Sequence, residues 1–177
     1  MALEKEEYLW RMINEHMTQA RHQETLRTSM TTLLVTLSGA IIAFITFDKE
    51  LSPIDLALTI LLFCLGIFGI FFSAKHYERF NFHIARVRLY RAKLEELFPE
   101  IEWKKLREDA DVYHEKKFPK LVKQRQHLLW LILHGVNAAT GLILTSIILI
   151  NYYAPSTSSA SGDNQSTPTS EILKEQK

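Results

Sequence analysis

The residues best placed to do chemistry are polar and small side chains inside three long uncharged runs, residues 28–47, 56–74 and 128–154. In the third run His134 and Asn137 stand three apart, so a helix puts them on one face. Gly135 with Ala139, and Asn137 with Gly141, are small-xxx-small pairs that let helices approach closely. Thr36 and Gly39, together with Thr32, Ser38 and Ala40, offer the same mixture in the first run, as do Gly66, Gly69 and Ser73 in the second. A polar group at membrane depth is costly unless partnered. Such groups either bond one helix to another or line a polar path. Three helices are too few to enclose a water-filled channel, so a path requires several copies.

Other chemistry is thin. His76 and His83 lie seven apart, as do His127 and His134, and no helical His-x-x-x-His or Glu-x-x-His pair occurs. That predicts no metal site. Cys64 is the single cysteine and falls in mid-run, so neither a disulfide framework nor a thiolate site is expected. Arg11…His16 and Arg107…His114 fit the loose Arg/His spacing of nucleotide-binding ribonucleases of the higher-eukaryote/prokaryote type. Two hits among seven histidines are what chance gives. No phosphate-cradling glycine loop and no recognisable nucleophile set is present. The chain is expected to be no enzyme and to need no cofactor.

Basic residues supply the remaining candidate site. Lys75, Arg79, Arg86 and Arg88 follow the second run, and Lys116, Lys117, Lys120, Lys123 and Arg125 precede the third. Flanks of this kind set topology and meet lipid headgroups. The first four are also candidate contacts for an anionic ligand, whether a nucleotide signal, a nucleic acid or an anionic lipid. Residues 75–127 carry fourteen Lys/Arg against nine acids, an excess too small for a nucleic-acid arm.

The elements that position these residues follow from hydropathy. A mean hydropathy of -0.04 conceals the three runs, because the segments between them are densely charged. Each run approaches the ~20 residues a helix needs to cross ~30 Å of hydrocarbon. The positive-inside rule places the N-terminus and residues 75–127 in the cytoplasm, and the loop at 48–55 and the C-terminus outside. The expected fold is an all-α membrane protein, three transmembrane helices with a cytoplasmic helical hairpin, in a bacterial inner membrane. The first run reads as an uncleaved anchor.

Five segments result. Residues 1–29 form an amphipathic cytoplasmic helix whose stripe is Trp10, Ile13, Met17 and Ala20, packed on the protein's own cytoplasmic part or on a partner. Residues 30–74 form a transmembrane hairpin, with Ser52 as N-cap and Pro53 opening the second helix. In residues 75–127 that helix continues to Phe98, and Tyr77, Phe80, Ile84, Val87, Arg91, Leu94 and Phe98 follow the alternating spacing of a coiled-coil seam. The seam would pair with another copy or fold back on residues 100–118. Residues 120–153 make one helix, spanning the membrane over 128–153 with Tyr152 and Tyr153 at the interface. Residues 154–177 are rich in Ser, Thr, Pro and Asn, read as a disordered external tail, and include the glycosylation triplet at Asn164.

This layout resembles the small membrane effectors of bacterial anti-phage systems: SLATT-type proteins and the transmembrane effectors of Pycsar systems and retrons. The shared features are an amphipathic helix before the first span, a tight hairpin of spans, and a helix leaving the membrane through Lys75-His76-Tyr77-Glu78-Arg79-Phe80. The resemblance covers residues 5–100 and implies an effector that assembles as a homo-oligomer on a signal from an upstream protein or nucleotide and permeabilises the membrane. A different class also fits: a non-conducting scaffold, assembly subunit or immunity protein of a larger complex.

Overall fold

Nothing between residues 2 and 45 interrupts a helix: there is no proline and one glycine, Gly39. In the computed structural model, which describes residues 2–47 and 51–153, α1 therefore runs unbroken over Ala2–Ile45. The amphipathic segment and the first span are one helix of 44 residues. At ~1.5 Å per residue it extends ~66 Å, about twice what the hydrocarbon needs, so its N-terminal half stands clear of the membrane.

The return turn is fixed locally. The Ser52 N–H and hydroxyl both donate to Asp55 Oδ2, at 2.9 and 3.1 Å, closing a short 3-10 turn over Pro53–Asp55. Helix α2 then covers Leu56–Glu95. Its last turn tightens through bonds from the Leu97 and Phe98 amides to the Leu94 and Glu95 carbonyls, ahead of Pro99. Helix α3 is Trp103–Lys117 and α4 is Gln126–Tyr153. Residues 120–125, expected in the last helix, form turns, so α4 starts almost at the membrane run. Residues 48–50 of the loop between α1 and α2 and the whole tail from 154 lie outside the described residues.

The chain is all-α, without a strand among the described residues, and has three helices long and apolar enough to cross a membrane. Helix α2 is central, packing along α1 for most of its length and along α4 in the membrane segment. The buried positions of α1 are Ile13, His16, Ala20, Arg27, Thr31, Leu34, Ser38, Ile41 and Ile45. Those of α2 include Thr59, Leu62, Gly66, Gly69, Ser73 and Val87. Steps of three and four residues, or their sums, separate them, which is the spacing of left-handed, knobs-into-holes packing. Ile41, Ile45 and Leu62 form the apolar core near the turn that joins α1 to α2.

Outside the membrane the hairpin differs from expectation. The seam of α2 packs on the N-terminal half of α1 and not on residues 100–118. Its register is displaced: His83, Val87 and Tyr90 face inward, His83 and Tyr90 against His16, while Arg91 is exposed. On α1 the inward stripe is Ile13, His16 and Ala20, and Trp10 is 56% exposed. Helix α3 has no buried residue. It is tethered to α2 by a bidentate pair between Arg107 and Glu95.

Candidate functional site

The helix faces that meet inside the membrane segment are polar at regular intervals, which builds a ladder of side-chain pairs down the bundle. At the charged end, His16 and His83 share one hydrogen bond between their Nδ1 atoms at 3.1 Å. Two turns closer to the membrane, His76 Nδ1 and Gln23 Oε1 are 2.8 Å apart. Arg27 is then buried between the rings of Tyr77 and Trp130. Within the uncharged runs, Thr31 Oγ1 bonds His134 Nε2 at 3.2 Å, and Asn137 donates to Ser38 Oγ at 3.2 Å. Thr145 donates to Thr59 at 2.9 Å, and Tyr152 donates to the Leu51 carbonyl at 2.8 Å beside the α1–α2 loop.

Close approach makes these bonds possible. A Cβ on Gly66 would overlap the backbone of Ala138, one on Gly141 the backbone of Phe63, and one on Gly69 the imidazole of His134. These three glycines are the slots in which α2 and α4 touch. His134 is 1% exposed, pressed into the Gly69 slot with Nδ1 unpartnered. Ser73 is also buried.

Of the residues the sequence singled out at membrane depth, the structure brings together Ser38, Gly66, Gly69, His134, Asn137 and Gly141. Thr36 and Gly39 are exposed on the outward side of α1, and Gly39 and Gly135 have open space around them. The small pair Gly135/Ala139 is thus not the contact; Ala138 and Gly141 are. The α1 partners are Thr31 and Ser38. Thr31 went unselected because a threonine on a lipid-facing turn and one on a packed turn look alike in sequence. The signal that identifies it is its four-residue step from Arg27 and seven-residue step to Ser38.

The seam residues divide. Val87 is buried; Phe80, Ile84, Leu94 and Phe98 are half-buried; Tyr77 turns to α4, where its ring stacks on His127 at 4.2 Å. His16, His83 and Tyr90 were missed because the search favoured apolar positions. The candidate anion contacts do not converge. Lys75 pairs with Glu78 at 2.7 Å, Arg79 lies 3.9 Å from the same carboxylate, Arg86 rests over Phe82 at 4.2 Å, and Arg88 is exposed. Neither Arg/His nuclease spacing makes a shared site: Arg11 pairs with Glu7 while His16 faces α2, and Arg107 holds Glu95 while His114 lies against Phe118.

Electrostatics single out the histidines on the charged side. His83 is held below the ordinary imidazole range, first by desolvation, then by His16, Arg86 and Arg79, with Glu15 opposing. His76 is lowered by desolvation and by the charges of Arg27 and His22. Both rings therefore take up a proton less readily where they bond across the α1/α2 interface. Among the described residues no group of three or more His, Cys, Asp or Glu could hold a metal ion. Comparison with protein-family models, with curated proteins and with solved structures finds no match to this chain.

Proposed function

We propose that this protein is a bacterial inner-membrane effector whose extramembrane α1/α2 hairpin responds to an upstream protein or nucleotide signal and whose spans then part and assemble into oligomers that permeabilise the membrane. One observation carries the proposal. The interface between α1 and the α2/α4 pair is polar at Thr31, Ser38, His134 and Asn137, where apolar packing would suffice to hold helices in lipid. Closed, these groups satisfy one another. Parted, they leave each copy with a polar stripe that several copies can turn toward a common aqueous path. Helices α1 and α2 pass from the aqueous hairpin into the membrane without a break. A shift of the hairpin is therefore transmitted to the spans. Ile84, Arg91 and Phe98, at the edge of the seam that α1 leaves partly open, are the candidate contacts between copies.

The test is membrane potential, read by dye fluorescence, in bacteria expressing the wild type or an Asn137→Leu, Ser38→Ala variant. The expected outcome is depolarisation by the wild type and a several-fold smaller response from the variant. Equal depolarisation by both, or none by either, counts against the proposal.

A second reading has its own observation. Each ladder pair is complete within one chain, as helix-packing bonds are, and α3 stands off with Leu106, Val112 and Tyr113 exposed. A non-conducting scaffold, assembly subunit or immunity protein would use α3 to hold a partner. That reading expects no depolarisation and a stable complex lost on Tyr113→Asp.

A further inference from the structure

Arg27 has no partner adequate to its burial. It is 5% exposed, yet its guanidinium makes no hydrogen bond to any described residue, and Nε is enclosed without an acceptor. The nearest carboxylate, Glu24, is 3.7 Å away and half-exposed. The Tyr77 and Trp130 rings stand 6.0 and 5.7 Å from the guanidinium carbon. Trp130 Nε1 is likewise buried without a partner. Arginine and the indole N–H are donors only. Two enclosed donors side by side therefore lack an acceptor and require no further donor, which is the signature of a missing oxyanion.

Arg27 lines a cleft of about 470 Å³ between α1, α2 and the start of α4, shared with Glu24, Tyr77, Phe80, Arg125 and His127. That volume lies in the range of small-ligand sites. Helix α4 begins at Gln126; the Leu128 amide donates to the Arg125 carbonyl at 2.9 Å, and the Gln126 and His127 amides ahead of it add N–H donors at the positive end of a long helix dipole. The cleft's two arginines outnumber its one acid. Arg27 immediately precedes the first uncharged run, and His127 immediately precedes the third. The cleft thus lies at the depth of lipid phosphates while staying open to soluble ligands.

We propose that this cleft is a phosphate-binding site in which Arg27 is the principal ligand-binding residue, with Arg125 and the α4 N-terminus completing the cradle. The phosphate belongs to an anionic lipid headgroup or to a soluble phosphomonoester. Glu24, outside hydrogen-bonding reach, swings away on binding. The inference concerns binding alone and holds whether or not the protein permeabilises membranes.

The test uses the full chain in nanodiscs, with Trp10→Phe and Trp103→Phe so that Trp130 alone reports. One arm titrates adenosine monophosphate and inorganic phosphate into phosphatidylcholine discs. The other compares phosphatidylcholine discs with discs containing phosphatidylglycerol. A saturable change in Trp130 fluorescence with a rise in melting temperature is expected in one arm. A response in the first identifies a soluble ligand, and in the second a headgroup. Arg27→Met should abolish the response while leaving the ligand-free melting temperature equal or higher, because it removes a buried charge whose ion pair, to the half-exposed Glu24, is long. Arg125→Gln, on an exposed residue that cannot compromise folding, should weaken the response about tenfold, and Arg88→Gln should leave it intact. No response in either arm, or a response that survives both Arg27→Met and Arg125→Gln, overturns the proposal.

Discussion

At the scale of single residues, the glycines and histidines behave differently from their neighbours of the same type. Gly66 and Gly141 are slots against backbone, so Gly66→Ala forces α2 and α4 apart. Overpacking of this kind costs ~1–3 kcal/mol. Gly39→Ala meets open space and removes a flexible residue from a helix, so its melting temperature in micelles should be unchanged or raised. Parallel melts of the two variants check the contrast, and equal effects would contradict the assigned slots. The histidines give a pH dependence whose sign is fixed. His76 and His83 bind protons less readily when folded than when unfolded, so the α1/α2 packing is fully stable above the ordinary imidazole range near ~6.5. As pH falls through that range and on to the lower folded values, protonation favours separation. The charges facing them are Arg27 and His22 at His76, and His16, Arg79, Arg86 and Glu15 at His83. Thermal melts from pH 8 to 5 should decline below about 6.5 in the wild type. A His76→Gln, His83→Gln variant should flatten that decline, and a parallel decline in the variant would contradict the assignment.

At the scale of elements, the aqueous hairpin is held by α1 against α2. Val87 is 2% exposed on the inner face, whereas Arg91 is exposed. Val87→Asp buries an unpaired charge and should cost about 3 kcal/mol or more, read as increased proteolysis of residues 5–27. Arg91→Leu should stay within about 0.5 kcal/mol. If Arg91→Leu destabilised the hairpin as strongly, the observed register would be wrong. Much of this scale was legible in the sequence. The three uncharged runs, the 3-10 turn set by Ser52 and Asp55, and the breaks before Pro99 and Pro119 are written in local composition. Two things were not. The register of the α2 seam is carried by His83 and Tyr90, whose partner His16 lies 67 residues away, and an apolar template selects Ile84 and Arg91 instead. The inward face of α1 is invisible to hydropathy because, in lipid, the outward face is equally apolar. Hence Thr36 and Gly39 stand beside Ser38 in the sequence reading, while Thr31 is absent from it. The Arg27 cleft is hidden for a related reason: in a sequence a basic site shows as density of charge, while burial and missing acceptors define this one.

At the scale of the whole molecule, the central claim is that the bundle parts to act. Interhelical hydrogen bonds in membranes contribute ~0.6 kcal/mol each on average, up to ~1.7. The three pairs at Thr31, Ser38 and Thr59 therefore hold the closed form by a few kcal/mol at most, a barrier that a bound signal or a second copy can overcome. The measurement that bears on this most directly is a reversible lock. Asn137 Nδ2 and Ser38 Oγ are 3.2 Å apart across the interface that parts, so Ser38→Cys with Asn137→Cys, in a Cys64→Ser background, sets two thiols that a short disulfide-containing bis-maleimide joins, locking α1 to α4. Potential-sensitive dye fluorescence is then followed in bacteria expressing the locked protein, before and after a reductant. The account expects no depolarisation while the lock is closed and depolarisation once it is reduced. Depolarisation that is the same in both states would contradict it.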